Sequence, residues 1–542
     1  MAGLSGYPVI VVKEGQKREA GKDAQHKNIM AARAVADAVR TTLGPKGMDK
    51  MLVSNTGDVT VTNDGATILW ELEIEHPVAK MIVEVARAQD DEVGDGTTTA
   101  VIIAGELLKK AEALLDRGIH PTIIVQGYRQ AAVRAKEVLE NMAMDISSED
   151  REMLAKIAQT AMTGKGIEVL KDELSRICVD AAIAVQEQGK VDVERRIKMV
   201  KIVGGSLKDT TFNQGVVLEK ERLNPSMPRK VKGAQIALFD GTLELKKLGT
   251  DAKISIKDVE GLQGFRQGEE KVLEEQVEAI ASSGANVLFC TKGIGNTASH
   301  FLAKSGILAT RRIKDEDMKR LSLATGGKVV GDIMQITAQD LGQAELVEER
   351  KVGEEHMIFV EGCLNPKAVS IIFHGGSEVF LGEIERAFED ALYVVSSVLE
   401  FGTIVPGGGA PEVEVAEAIR NYSSTLSGRE QLAVSAFAEA MESIPRILAD
   451  NAGLDAINVL VGLRTAHGGG QRSAGVDVMT GEPTDMLAKG VVEPLQVKVQ
   501  AIKSATEAAT MVLRVDHVIA AKKEPLTPKP GQSPHDYTRP GF

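Results

Sequence analysis

The chain has 542 residues, 43% of them hydrophobic and 26% charged, with a formal net charge of −13. This length accommodates roughly three to four folded domains, and the acidic balance argues against general binding to nucleic acid or an anionic membrane. Cys178, Cys290 and Cys363 are odd in number, far apart and without a CxxC pair, which predicts a reducing compartment and neither a disulfide framework nor a zinc site. Aromatic residues make up only 3%, so the cores must be aliphatic and rich in alanine. The apolar run Val9–Val12 is too short for a signal-peptide core, and no run approaches a membrane span; a cytoplasmic location is expected.

Residues 1–22 are rich in glycine and charge and read as an arm. Apolar positions at Ile29, Ala32, Val35, Ala36, Val39 and Leu43 predict a helix over 28–43, stopped by Gly44-Pro45. Met51–Val53 and Val59–Val61 flank Asn55-Thr56-Gly57 and predict a hairpin, followed by a tight turn at Asn63-Asp64-Gly65 and a short helix. Helices are predicted at 77–90, 97–116 and 121–142, with Pro77 and Pro121 at first helical positions. Ser147–Asp150 reads as a boundary and a helix start. From about 190 short strands begin, such as Val200–Val203 and Gln235–Phe239. Between 286 and 333 strands and helices alternate as in an α/β domain: Val287–Thr291, 296–305, Ile307, 315–325 and Val329-Val330. Residues 243–268 interrupt this pattern with charges and little apolar periodicity. Helical spacing returns at 269–282, 383–400, 411–421, 428–450 and 484–515, and residues 525–542, with five of the 17 prolines, read as a disordered tail.

The most informative stretch is Gly94-Asp95-Gly96-Thr97-Thr98-Thr99, which opens an Ala-rich apolar helix. First-turn N–H groups lack internal partners and carry the positive end of the helix dipole. Flanking glycines let backbone approach a bulky anion, and Asp95 adds a hard oxygen ligand suited to Mg²⁺. An Asp-Gly turn followed by a threonine N-cap would read the same way. Four further segments bear on it. Leu43-Gly44-Pro45-Lys46-Gly47 is either a helix C-cap or a second phosphate wall. Thr62-Asn63-Asp64-Gly65 is either an Asx turn or a fixed mount for Asp64. Asp390 lies beside Ala391-Leu392 in a helical stretch where a lone aspartate would ordinarily be surface charge. Val405-Pro406-Gly407-Gly408-Gly409-Ala410-Pro411 is either a flexible linker or a flat seat for a base or ribose.

Taken in order, Thr-Leu-Gly-Pro-Lys-Gly (42–47), Thr-Asn-Asp-Gly (62–65), Gly-Asp-Gly-Thr-Thr-Thr (94–99) and Val-Pro-Gly-Gly-Gly-Ala (405–410) resemble a chaperonin over nearly the whole chain. Asn28–Arg33, Asp49–Leu52, Ile74–Pro77 and Lys503–Glu507 resemble the group II branch, the archaeal thermosome and its eukaryotic cytosolic relatives. The resemblance implies ATP and Mg²⁺ as cofactors. Asp95 would hold the metal, and Leu43, Gly44, Pro45 and Gly96, Thr97, Thr98 and Thr99 would wrap the phosphates. Asp64 and Asp390 would orient the attacking water. Gly408 and Gly409 would lie against ribose and base, Glu493 would reach the ribose, and Asp477 would lie in the adenine-side loop. Lys165, in Thr163-Gly164-Lys165-Gly166, matches a lysine of a nucleotide-sensing loop.

If 43–99 and 390–493 build one site, the chain leaves that domain and returns, so the middle is an insertion. The resemblance implies a multidomain fold. A mainly α-helical equatorial ATPase domain would comprise 1–149 and 404–542. A small α/β intermediate hinge domain would comprise 150–217 and 370–403. An α/β apical substrate-binding domain would span 218–369, with a helical lid protrusion at about 243–271. It also implies double rings, usually eightfold, of identical or paralogous subunits enclosing unfolded clients, with no nucleic-acid or membrane partner. Ala298, His300, Phe301 and Lys304 would face the cavity mouth, although a plain amphipathic helix explains them equally. The tail lacks the Gly-Gly-Met repeats of many relatives.

Three rival readings remain at this level. Gly293-Ile294-Gly295-Asn296-Thr297-Ala298 follows a predicted strand, opens a helix and has Asp315 and Asp317 downstream, as an NAD(P)-dependent oxidoreductase would. A stand-alone kinase or ATPase would need a GxxxxGK[ST] loop, but Gly164-Lys165 and Gly327-Lys328 are followed by Gly and Val. A non-catalytic ring subunit would have no need of Asp64, Asp95 and Asp390 together.

Overall fold

The computed structural model describes residues 17–167, 170–244, 259–364 and 366–520. Its hydrophobic side chains gather around several centres rather than one. The largest is helical and draws on both ends of the sequence: Gly21–Arg40, Pro77–Val93, Thr97–Asp116 and Pro121–Met142 pack with Ala410–Thr425, Arg429–Met441, Ser443–Asn451 and Leu495–Leu513. At the centre lies Thr97–Asp116, a helix so enclosed that both sides of its middle turns are buried. Its Gly105 meets Ala36 so closely that a Cβ there would stand 2.4 Å from the alanine methyl. Small residues at this crossing let the backbones approach, which is how an Ala-rich core with few aromatics reaches close packing. Tyr128 is wholly buried, donates to the Leu107 carbonyl at 2.7 Å and meets Phe437 edge-on.

A second centre is built from Arg151–Met162, Lys171–Val185 and Glu378–Phe401 against a three-stranded sheet. There Val369–Gly375 is central, parallel to Ile197–Val203 and antiparallel to Thr211–Asn213. Phe373 on the sheet and Phe388 on the long helix lock the layers edge-to-face at 5.2 Å. The third region is a seven-stranded mixed sheet running Leu308–Thr310, Val287–Cys290, Lys230–Phe239, Gly342–Val352, Glu355–Glu361, Gly215–Leu218, with Val329–Val330 also paired to Lys230–Phe239. Asp315–Thr325 packs on one face; Val259–Ser282 and Asn296–Lys304 pack on the other. A small sheet, Val492–Pro494, Thr403–Pro406 and Met144–Asp145, ties early and late segments together.

The helices announced by proline, Pro77–Val93 and Pro121–Met142, begin where the sequence predicts. Several expectations need correction. The 28–43 helix begins at Gly21, and within the predicted arm Lys17–Ala20 is a strand paired with His517–Ala520. The 428–450 pattern is two helices meeting at Glu442. The 484–515 pattern is a short helix Met486–Lys489, a strand Val492–Pro494 and the helix Leu495–Leu513, because Gly490 turns left-handed (φ 75°) and Pro494 caps the next start. Helical backbone extends back to Val259, inside the stretch expected to lack it. Residues 245–258 of the predicted lid segment and the tail 525–542 lie outside the described residues. No helix among the described residues is long and apolar enough to cross a membrane. All three cysteines are free and buried.

Candidate functional site

Several turns converge on the first turn of the Thr97–Asp116 helix. The N-cap is Gly96 (φ 78°), with no side-chain cap, so the threonine-cap alternative fails and the first-turn N–H groups have no side-chain acceptor there. Asp95 accepts from the Gly96 N–H at 2.7 Å. Gln89, fully buried, donates to the Asp95 carbonyl at 2.8 Å and the Val497 carbonyl at 3.2 Å, stitching the early loop to the last long helix. A Cβ on Gly96 would stand 2.7 Å from Val497 Cγ1, and one on Gly94 would stand 2.3 Å from Tyr393. The glycines are thus required by close approach as well as by conformation.

The hairpin Lys50–Val53/Val59–Thr62 delivers Asp64 to this point. Asp64 caps the Gly65–Glu71 helix by accepting from Thr67 N–H at 2.8 Å, so the Asx-type role is real. A Cβ on Gly65 would lie 2.4 Å from Thr98 Oγ1, which puts the capped turn directly against the threonine run. Leu43–Gly47 lies beyond the end of the first long helix. Its turn closes with Gly47 N–H to the Gly44 carbonyl at 2.9 Å, and Asn451 holds the Leu43 carbonyl at 2.9 Å. A Cβ on Gly164 would come within 3.2 Å of Pro45 Cα, so the loop carrying Lys165 rests on this turn.

Lys165 forms an ion pair with Asp390 across the two segments, each side chain 16% exposed. Asp390 is therefore no solvated helix charge. Burial and the nearby Asp64 and Asp95 push its carboxyl well above the ordinary range, against the pull of Lys165. Burial would lower Lys165, but Asp390, Asp95 and Asp64 together raise it. The structure thus gathers Asp64, Asp95, Asp390 and Lys165 within mutual electrostatic reach, with carboxylates in excess.

The late segment supplies a second glycine-capped helix start. Gly408 (φ 64°) and Gly409 (φ 78°) lead into Ala410–Thr425, again without a side-chain cap. Glycine is required here too: a Cβ on Gly408 would strike Met486 Sδ at 2.9 Å. Glu493 pairs in register with Val405, and its carboxyl is influenced by Asp95, so both halves share one electrostatic neighbourhood. Asp477 is held by Lys489 at 2.6 Å and the Met479 N–H at 3.0 Å, the lysine chiefly lowering its pKa; its carboxylate is committed to its own loop.

The sequence profile of the TCP-1/cpn60 chaperonin family matches residues 35–523. The chain is 57% identical to the thermosome subunit alpha of Archaeoglobus fulgidus over 526 residues, 96% of each chain. It is 56% identical to a thermosome subunit of Methanopyrus kandleri and 54% identical to one of Pyrococcus horikoshii, again over 96% of both partners. The chain belongs to the TCP-1/cpn60 chaperonin family. It is a group II chaperonin, and its function is that of an ATP-dependent molecular chaperone.

In this chaperonin the oxidoreductase reading has no support. Gly293–Ala298 does link a strand to a helix, but the chain itself fills the loop. Gly295 N–H donates to the Leu243 carbonyl at 3.0 Å, and a Cβ on Gly293 would lie 2.1 Å from Glu244 Oε1. A carboxylate thus stands where a pyrophosphate would need room, and Asp317 is engaged by Lys198 at 2.9 Å and Arg320 at 3.3 Å. The client-facing set also needs revision. Ala298 is fully buried under its helix and Phe301 packs partly on the same core, whereas His300 and Lys304 are exposed. Ala298 therefore offers no surface to a client.

Sequence reasoning missed Asn63, Gln89, Tyr393, Glu412 and Lys498. Asn63 donates to the Gly164 carbonyl, joining the Asp64 turn to the Lys165 loop. The signal for Gln89 was present: a polar residue continuing the buried stripe Val78, Ile82, Val85, Ala86.

Proposed function

We propose that the convergent turns form a Mg²⁺-dependent ATPase site that drives a folding cycle. The observation that carries this reading is the Lys165–Asp390 pair set beside Asp64 and Asp95 at an uncapped helix N-terminus. Leu43, Gly44 and Pro45, with the backbone of Gly96–Thr99, would wrap the phosphates; Gly408 and Gly409 would seat ribose and base, with Glu493 at the ribose and Asp477 at the adenine-side loop. Among the described residues no group of three or more His, Cys, Asp or Glu could hold a metal alone. Mg²⁺ would keep waters and phosphate oxygens and take one or two carboxylates, here Asp95. The excess of carboxylates over Lys165 suits a site completed by a divalent cation. Bound Mg²⁺ would neutralise phosphate charge.

Phosphoryl transfer to water needs positioning more than a strong base. Asp64, fixed by its helix cap, and Asp390, fixed by Lys165, would align the water. Calorimetric ATP titration and steady-state hydrolysis of Asp390→Ala test this. Binding should stay within a few fold while turnover falls by about two orders of magnitude, the usual scale for a proton-handling group. Near-normal turnover would overturn the assignment.

In this reading the helical body is the equatorial domain (1–149 and 404–542), the second centre the intermediate hinge (150–217 and 370–403), and the seven-stranded sheet the apical domain (218–369). A protrusion at 243–271 would serve as lid, and His300 and Lys304 would border the client surface. The relatives are named as alpha and beta subunits, which supports assembly with identical or paralogous chains into double rings, eightfold in this proposal, that act in the cytoplasm on unfolded clients.

A further inference from the structure

The helix Leu495–Leu513 carries a lysine in its second turn, Lys498, whose side chain is 7% exposed. Its Nζ lies 3.0 Å from Glu412 Oε1 and 2.7 Å from Glu493 Oε2. Glu412 is in the first turn of Ala410–Thr425, just after Gly408-Gly409, with its side chain 3% exposed. One buried carboxylate would suffice to neutralise one buried ammonium. Here there are two, and Glu412 Oε2 has no hydrogen-bond partner among the described residues. A network kept only for stability would not leave an extra carboxylate and an orphaned oxygen in the interior. Glu493 differs from Glu412 in keeping its side chain 24% exposed. A Cβ on Gly407 would lie 3.0 Å from Glu493 Oε1, so the oxygen not used by Lys498 borders the glycine run.

We infer that Lys498, anchored by Glu412, is a positioning residue that holds Glu493 ionised with Oε1 turned to the glycine run, where it accepts from the vicinal hydroxyls of a nucleotide ribose. The inference rests on the reading that Glu493 faces the ribose. Burial, Glu412 and Asp95 all favour a protonated Glu493, and Lys498 is the group that opposes them. A neutral Glu493 would lose the charge-assisted part of its bond to a diol, the stronger kind of hydrogen bond.

The test compares ATP with 2′-deoxy-ATP and 3′-deoxy-ATP by calorimetry on the assembled protein, together with KM and kcat for ATP. Lys498→Met should weaken ATP about tenfold while binding of the deoxy nucleotides changes less than twofold, so discrimination nearly vanishes. KM should rise by a similar factor, with a smaller change in kcat, and Lys498→Arg should restore much of the preference. Equal weakening of all three nucleotides would mean a merely structural role and overturn the inference. Should Lys498→Met fail to assemble, Glu412→Gln decides: a two- to fivefold loss of discrimination supports the anchor, and unchanged discrimination refutes it. Glu493→Gln separates the premise from the inference. If Glu493→Gln keeps full discrimination, the ribose reading fails; if it loses discrimination and Lys498→Met does not, only the positioning role fails.

Discussion

Glu389 gives a pH dependence of stability whose sign can be worked out. It neighbours Asp390 on the Glu378–Phe401 helix and lines a cavity of about 440 Å³ with Glu194, Glu385, Lys198 and Arg320. Burial, then Glu385, Asp90, Glu194 and Asp64, push its carboxyl from 4.5 up to about 7. The folded chain therefore keeps this proton between those two values, where the unfolded chain has released it. Stability must then fall as pH rises through this window, and the full penalty is present above the folded value. At about 1.4 kcal/mol per pH unit the interval sets an upper limit of about 3.5 kcal/mol, and screening of the partly solvated carboxyl brings the expected penalty to about 2 kcal/mol.

Glu389→Gln removes the charge and keeps the shape. Urea unfolding at fixed protein concentration, followed by circular dichroism at pH 5.5 and pH 8, reads the difference, and the assembly contribution cancels between variants that assemble alike. The substitution should stabilise by about 2 kcal/mol at pH 8 and by much less at pH 5.5. An equal gain at both values, or a larger gain at the lower pH, would refute the argument. Asp90, raised to about 6 by burial and by Asp64, Asp91 and Asp95, should show the same sign with its midpoint at lower pH.

Gly96→Ala forces an L-residue to φ 78° and puts a methyl 2.7 Å from Val497 Cγ1; left-handed backbone and overpacking should together cost about 2–4 kcal/mol. Urea unfolding reads the loss, and nucleotide affinity should fall with it. Glu442 is buried between Arg464, at 2.6 and 2.5 Å, and Arg420, and burial of its carboxyl is outweighed by those arginines, so its pKa is lowered from 4.5. Its contribution is complete above the unfolded value and lost as pH falls through the lower folded one, so Glu442→Gln should be destabilising at pH 7 and progressively less so in acid. A penalty that grows on acidification would contradict this.

The glycine turns were legible because each needs only local conformation: Gly96, Gly408 and Gly409 all adopt positive φ at the positions the motifs mark. The convergence of Asp390 with Lys165 was visible only through resemblance, since nothing local separates a buried helical aspartate from a solvated one. The strands Gly342–Val352 and Glu355–Glu361 escaped notice because charges within and between them, Glu348 with Arg350 along one strand and Arg350 with Glu361 across the two, blur the apolar alternation. The break at Glu442 was hidden for a related reason. A glutamate in a helical pattern reads as surface, yet this one is 1% exposed and closes the junction between two helices by binding arginines from two others.

The proposed site draws on residues of two hydrophobic centres, which would give its chemistry a mechanical consequence. Asp64 and Asp95 are mounted on elements of the helical body, and Asp390 and Lys165 on elements of the second centre. Among the described residues, polar bonds also cross this seam, Val492 N–H to Thr160 Oγ1 at 3.4 Å among them. Arg386 donates to the Val61 carbonyl at 3.4 Å, and Asn63 donates to the Gly164 carbonyl. Beyond the seam, Tyr393 packs against Gly94 on one side and reaches Glu194 at 3.4 Å on the other, while Arg320 from the seven-stranded region donates to the Glu194 carbonyl at 2.7 Å. In the proposed cycle, a charge neutralised or released between the aspartates would change the attraction between the two bodies directly. In the proposed cycle a displacement at this seam would reach the third region through Glu194. The proposed hinge at 150–217 and 370–403 would respond to such differential contacts at its boundary.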